Sequence, residues 1–177
     1  LIRMACNLLH AGEVVAIPTE TVYGLAADAT NDAAIVKVYE LKNRPSFNPL
    51  ISHVPDITTA KQYVQFSKTA EMLAECFWNP DNHRPLTLVL ERVKKTNLSQ
   101  LATAGLDTVA VRVPNHPIAI ELLRQFGKPL AAPSANPSNN ISPTTAEHVR
   151  LGFGNKAPFI LDGGPCEVGL ESTIIDM

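Results

Sequence analysis

A chain of 177 residues with 45% hydrophobic and 18% charged side chains has the balance of one globular domain, which argues against disorder and leaves no acidic or basic tail to explain. A formal charge of -2 excludes a global electrostatic grip on nucleic acid, so any strong positive field must be local. The three cysteines, Cys6, Cys76 and Cys166, form no C-x-x-C pair, which argues against a zinc knuckle or a disulfide framework and fits a reducing cytosol.

Leu1 to Ala11 spaces Met4, Leu8 and Leu9 along one helical face, and Gly12 is placed to end that helix. Val14 to Ile17 reads as a buried strand whose end at Pro18 delivers TETVYG to the surface. Thr19, Glu20 and Thr21 there suit either a small polar ligand or a structural turn. Asn31 to Leu41 is the next helix, with Asn31 or Asp32 as its N-cap and Pro45 as its stop. Lys42 and Arg44 follow on a segment that Pro45 and Pro49 keep out of helix, so two fixed cations are presented as a loop meets an anion or as a solvated turn. Leu50 to Val54 then reads as a short buried strand that holds His53 near its end.

Helical segments are expected near Ile57 to Val64 and from Ser67 to Phe77, with Phe77 and Trp78 in the core. Arg84 to Leu90 and Val109 to Val113 read as strands, with Thr108 at the start of the second and Arg112 inside its apolar run. A buried arginine is costly unless an anion meets it, and a salt bridge or a ligand carboxylate or phosphate would serve. Asn115 is the expected cap of a helix through Phe126 that Gly127 ends, and Leu130 to Ala132 is a short strand running into PSANPSNNISP. Thr144 and Glu147 have capping-box spacing for a further helix. Phe159 to Asp162 and Ser172 to Asp176 are the last strands, joined by GGPCEVGLE, whose glycines match neither a Walker loop nor a dinucleotide fingerprint. Strands interleaved with helices, without repeats or a linker, predict one α/β domain over residues 1–177 with a mixed sheet and a cleft lined from many parts of the chain. No apolar run approaches the roughly 20 residues that span a bilayer, so a cytoplasmic protein without membrane association is expected. A start at Leu1 and an end at Met177, directly after a strand-like run, suit a piece of a longer chain.

In this order, PTETVYGLAADA, KNRPSFNPL, ISHV, VAVRVP, APSAN and GLESTIID resemble the YrdC-like family of threonylcarbamoyl-adenylate synthases, a similarity running from Pro18 to Asp176. One position departs: members commonly carry glycine between the lysine and arginine of the basic motif, and this chain has Asn43. The resemblance implies a twisted mixed parallel and antiparallel sheet with helices around a large concave, partly positive cavity. It also implies a reaction in which L-threonine, bicarbonate or CO2, and ATP give threonylcarbamoyl-AMP and pyrophosphate, for threonylcarbamoyl adenosine in tRNA. A downstream tRNA-modifying transferase is an implied partner, while direct RNA binding stays open. Magnesium is implied with the nucleotide, with no protein ligand of its own expected.

Carried over by motif, Lys42, Arg44, Ser134 and Asn136 form a tetrad near the phosphates, with Lys42 and Arg44 catalytic, and Asn48, Thr108 and Ser142 match positions contacting ATP. Thr21, His53, Arg112, the backbone at Ala132 and Ser172 match positions around threonine. Physics supports this division, since a triphosphate calls for a compact charge and a planar fork, and an amino acid for neutral polar partners. Two other readings are a related domain of a carbamoyltransferase that uses carbamoyl phosphate, and an RNA-binding module, which the acidic balance disfavours.

Overall fold

A computed structural model describes residues 1–46 and 48–177. Phe47, inside the expected basic motif, lies outside the described residues. The elements in chain order are α1 (Ile2–His10), β1 (Val15–Ile17), β2 (Gly24–Asp28), α2 (Asp32–Lys42), β3 (Ser52–His53), α3 (Ile57–Ala60), α4 (Lys68–Phe77), β4 (Leu86–Glu91), β5 (Thr108–Arg112), α5 (Pro117–Phe126), β6 (Leu130–Ala131), α6 (Ala146–Phe153), β7 (Phe159–Ile160) and β8 (Thr173–Asp176). The strands form one sheet in the order β7-β1-β2-β6-β3-β5-β4-β8. The β1–β7, β3–β5 and β4–β8 pairs are parallel and the other four antiparallel, as the expected mixed sheet requires. No helix is long and apolar enough to cross a membrane among the described residues.

Two apolar layers cover the sheet unequally. On one face, Ala16, Leu25, Ala27, Leu88 and Val111 pack with α2, α4 and α6 through residues such as Val38, Ala74 and Val149. On the other, Val15, Ile17, Ala26 and Leu130 meet α1 and α5 through Leu9, Leu122 and Phe126. Side chains alternate along a strand, so the second face of β4 and β5 carries Thr87, Val89 and Glu91 beside Thr108, Ala110 and Arg112. Val89 and Ala110 are only half-buried there, because α1 and α5 stop at the β1–β2–β6 half of the sheet.

The helix ends explain how the cations are presented. The Asn31 carboxamide oxygen accepts from the N–H groups of Ala33 and Ala34, starting α2, and the helix runs one residue beyond the expected Leu41 to include Lys42. Asn43 closes it at φ 51° and ψ 45°, the left-handed conformation that only glycine adopts freely and asparagine tolerates. The family glycine and this asparagine therefore meet one backbone requirement.

Several expectations are corrected. TETVYG does not reach the surface: Thr19, Glu20 and Thr21 are buried, because a later segment lies over them, with Val168 N–H donating to Glu20 O (2.8 Å) and Gly169 N–H to Thr21 O (3.0 Å). Helix α5 is capped by His116 rather than Asn115, since Pro117 takes the first helical position and leaves the His116 ring to accept from Ile118 N–H. Thr145, not Thr144, caps α6 by accepting from His148 N–H, and the His148 ring accepts in turn from Thr144 N–H, a reciprocal box one residue later with histidine in the place expected of Glu147. Strand β2 had no counterpart among the expected strands.

Candidate functional site

Lys42 stands at the carbonyl end of α2, fully enclosed, and its Nζ donates to the backbone oxygens of Ser134 and Asn136, each at 2.5 Å. The loop after β6 is thereby tied to the end of α2, and Ser138 N–H adds a bond to Lys42 O at 2.8 Å. Arg44, half-buried beyond the Asn43 turn, points the same way through longer bonds to the carbonyls of Asn48 (3.5 Å) and Pro49 (3.2 Å). A cleft of about 380 Å³ results, with Lys42, Arg44, Asn48, Ser134, Asn136 and Ser142 among its lining residues. Six of the seven residues expected at the nucleotide thus share one cavity.

Thr108 is the seventh, and the structure does not bring it there. It begins β5 and lines a neighbouring depression with Glu91, Arg92 and Lys94. It does lie on the same face of β5 as Arg112, four residues along the strand.

Burial, and then the charge of Arg44, hold the Lys42 ammonium at a pKa of about 8, with Glu171 pulling weakly the other way. Because this folded value lies below the ordinary lysine value of 10.5, the folded chain binds fewer protons between those limits, and stability rises with pH across that window. Anion binding runs in the opposite direction. Affinity of the cleft for inorganic tripolyphosphate, measured by calorimetry, should fall severalfold as pH rises from 7 to 9.5, with Arg44 supplying the remainder; an affinity constant across that range would show that Lys42 does not titrate there.

The second group of residues is a row across the sheet. Registered pairs place His53 opposite Arg112 and Arg112 opposite Thr87, so the three side chains share one face of the sheet. Arg112 donates from Nη2 to Glu20 Oε1 (2.6 Å) and to Thr21 Oγ1 (2.9 Å), inside an ion pair whose side chains are each 4% exposed. Of the two open readings of Arg112, the internal salt bridge is present. Its Nε nevertheless remains a buried donor without a partner among the described residues. Burial, followed by the Arg112 charge, depresses His53 to a pKa of about 3, so this ring is neutral at any physiological pH. Ser172 Oγ sits 2.7 Å from Thr87 Oγ1, immediately before β8. Ala132 N–H is taken by Ile51 O (3.0 Å), which leaves its carbonyl as the backbone group open to a ligand. The structure therefore assembles Thr21, His53 and Arg112 on one neutral, mostly buried patch, with Ser172 reached through Thr87.

Sequence reasoning missed three contributors. Thr87 was legible only as one polar position in an apolar strand. Glu20 was noted for its polarity, but not as the partner of Arg112. Glu171, which accepts from Ser142 Oγ at 2.7 Å, sits at the cleft and looked like part of a turn.

Asn136 carries a further signal. Its carboxamide nitrogen donates to Pro137 O (3.0 Å) and Asn140 O (2.8 Å), which fixes the amide and leaves Oδ1 buried without a partner among the described residues. A buried acceptor of this kind calls for a hydrogen-bond donor rather than a phosphate oxygen.

A family model described as telomere recombination, Sua5_yciO_yrdC, matches residues 7–177. The threonylcarbamoyl-AMP synthase of Bacillus subtilis is 48% identical over 175 residues, a match covering 98% of this chain and 49% of that one. The crystal structure of Pyrococcus abyssi Sua5 complexed with L-threonine superposes with a TM-score of 0.92 at 45% identity, covering 99% of this chain and 50% of that one. Full-length HypF, in a phosphate- and nucleotide-bound form, superposes with a TM-score of 0.84 over 99% of this chain and 27% of its own, but at 23% identity that likeness concerns the fold alone. The chain spans about half the length of the first curated relatives it matches, at 49%, 50% and 47%.

Proposed function

Because the chain belongs to the Sua5/YciO/YrdC family, we propose that it forms threonylcarbamoyl-AMP and pyrophosphate from L-threonine, bicarbonate or CO2, and ATP, as a cytoplasmic step toward threonylcarbamoyl adenosine in tRNA. The observation that carries this reading is that one sheet supports two separate polar centres, a cation cleft at Lys42 and Arg44 and a buried cluster around Arg112. A triphosphate matches the first and an amino acid the second.

The threonine amine captures CO2 as a carbamate with loss of a proton. A carbamate oxygen then attacks the α-phosphorus, and the bond to the bridging oxygen breaks as pyrophosphate leaves. No enzyme nucleophile is needed, so the protein works by positioning and by charge. Lys42 and Arg44 receive the charge that grows on the leaving group, and Asn48, Ser134 and Ser142 hold the phosphates. Thr108 would reach the nucleotide only at a part lying along β5, away from the tetrad. Thr21, His53, Arg112, the Ala132 carbonyl and Ser172 hold threonine. Magnesium, brought in with the nucleotide, would neutralise phosphate charge, and this scheme gives it no ligand from the chain. The product calls for a transferase that passes the threonylcarbamoyl group to tRNA.

Pyrophosphate release is the test. It should require ATP, bicarbonate and threonine together, with serine a poorer substitute. Release indifferent to both threonine and bicarbonate would defeat the reading, and release supported by carbamoyl phosphate in their place would favour the carbamoyltransferase alternative.

A further inference from the structure

The Arg112 guanidinium is asymmetrically engaged. One terminal nitrogen is held twice, by Glu20 Oε1 at 2.6 Å and Thr21 Oγ1 at 2.9 Å, while Nε is buried and unpaired among the described residues. Glu20 does not grip the guanidinium with both oxygens. Its Oε2 accepts instead from Asn115 N–H at 3.0 Å, just beyond β5, so the carboxylate spans from the strand's end to its last side chain. Its own backbone oxygen is fixed by Val168 N–H at 2.8 Å. The carboxylate is thus held by two donors and the backbone by a third, which leaves Glu20 little freedom to leave Arg112.

A buried arginine with one terminal nitrogen committed twice and its Nε–H unanswered has a donor left for a further acceptor. An unpaired buried donor is costly, which favours a ligand oxygen at that place. Arg112 stands between neutral His53 and Thr87 in the row, so the complementary group is a single carboxylate on a small polar molecule.

From this geometry we infer that Glu20 is a positioning residue for amino-acid binding, orienting the Arg112 guanidinium so that its unpaired Nε–H meets the substrate carboxylate. The inference rests on the reading of the patch as a threonine site and assigns to Glu20 a role separate from fold maintenance. Glu20 touches neither substrate nor nucleotide in this scheme, and its influence passes through Arg112.

Two variants of the chain test it, Glu20→Gln, which keeps shape without charge, and Glu20→Asp, which keeps charge with a shorter reach. Threonine affinity is read by calorimetry, KM for threonine and for ATP by pyrophosphate release, and folding by thermal melting. The expected result is a KM for threonine raised about tenfold or more in Glu20→Gln and severalfold in Glu20→Asp, with KM for ATP within twofold of the wild type. A purely structural role would move both KM values, or kcat, together. Folded variants with unchanged or tighter threonine binding would overturn the inference while leaving the proposed function intact. Wild-type chain that binds no threonine would overturn both. Failure of both variants to fold would also overturn it, by placing Glu20 in the framework of the fold.

Discussion

Arg44→Ala is expected to lower pyrophosphate release by about a hundredfold or more, the size of effect that accompanies loss of a preorganised charge donor at a transition state. Among the described residues the side chain is held only by the carbonyls of Asn48 and Pro49, at 3.5 and 3.2 Å, so its removal leaves the surrounding backbone little changed. Melting temperature should stay within a few degrees of the wild type. Lys42→Ala should cost at least as much activity, but for two reasons. It deletes a charge, and it strips the Ser134 and Asn136 carbonyls of the donor that ties their loop to α2. A fall in melting temperature should therefore accompany Lys42→Ala and be absent from Arg44→Ala. Near-normal pyrophosphate release by folded Arg44→Ala would remove the cleft from the chemistry.

The difference between these two cations shows what can be read from a sequence. That Lys42 and Arg44 are presented close together, for an anion or for solvent, follows from their spacing and from the prolines beside them. That Lys42 is buried and doubly bonded depends on carbonyls 92 and 94 residues away, and no local pattern announces such a partner. The Glu20–Arg112 pair has the same character, at a separation of 92 residues. An isolated arginine in an apolar run signalled that an anion must exist, but not whether it came from the chain or from a ligand.

Local structure was legible where side chains act on their own backbone. Asn31 caps and Gly127 ends its helix as expected. Where two adjacent residues could both cap, as at Asn115 with His116 and Thr144 with Thr145, the choice went to the one fixed by its context. Strand β2 failed differently. Its sequence, GLAAD, is poor in β-branched residues and shows no alternation, because all five positions are buried between two apolar layers. Gly24 there lies so close to β6 that an added Cβ would come 3.2 Å from the Ala132 Cβ. Small residues let the strand sit at the centre of the sheet, and the same smallness conceals it from propensity.

Arg112→Met should destabilise the protein by about 3–5 kcal/mol at neutral pH, the range expected when one member of a buried ion pair is removed and the other stays charged. For a chain of this length that corresponds to a melting temperature lower by roughly 10 °C. The pH dependence separates this mechanism from simple loss of packing. In the wild type, burial tends to raise the Glu20 pKa, but the charge and hydrogen bond of Arg112, with Asn115 N–H, more than offset it and leave the carboxyl below its ordinary value. The contribution of Glu20 to wild-type stability is therefore present above the unfolded carboxyl value and lost as pH falls through the folded one. Without Arg112 the sign reverses. Burial then dominates, the folded pKa rises above the unfolded one, and the variant regains stability as pH falls toward the unfolded value. The gap between the two proteins in urea unfolding should narrow from pH 7 toward pH 5, and Glu20→Gln combined with Arg112→Met should recover most of the loss at pH 7. A gap independent of pH, or a double variant no more stable than Arg112→Met, would mean that the cost of losing Arg112 lies in packing and not in the carboxylate left behind.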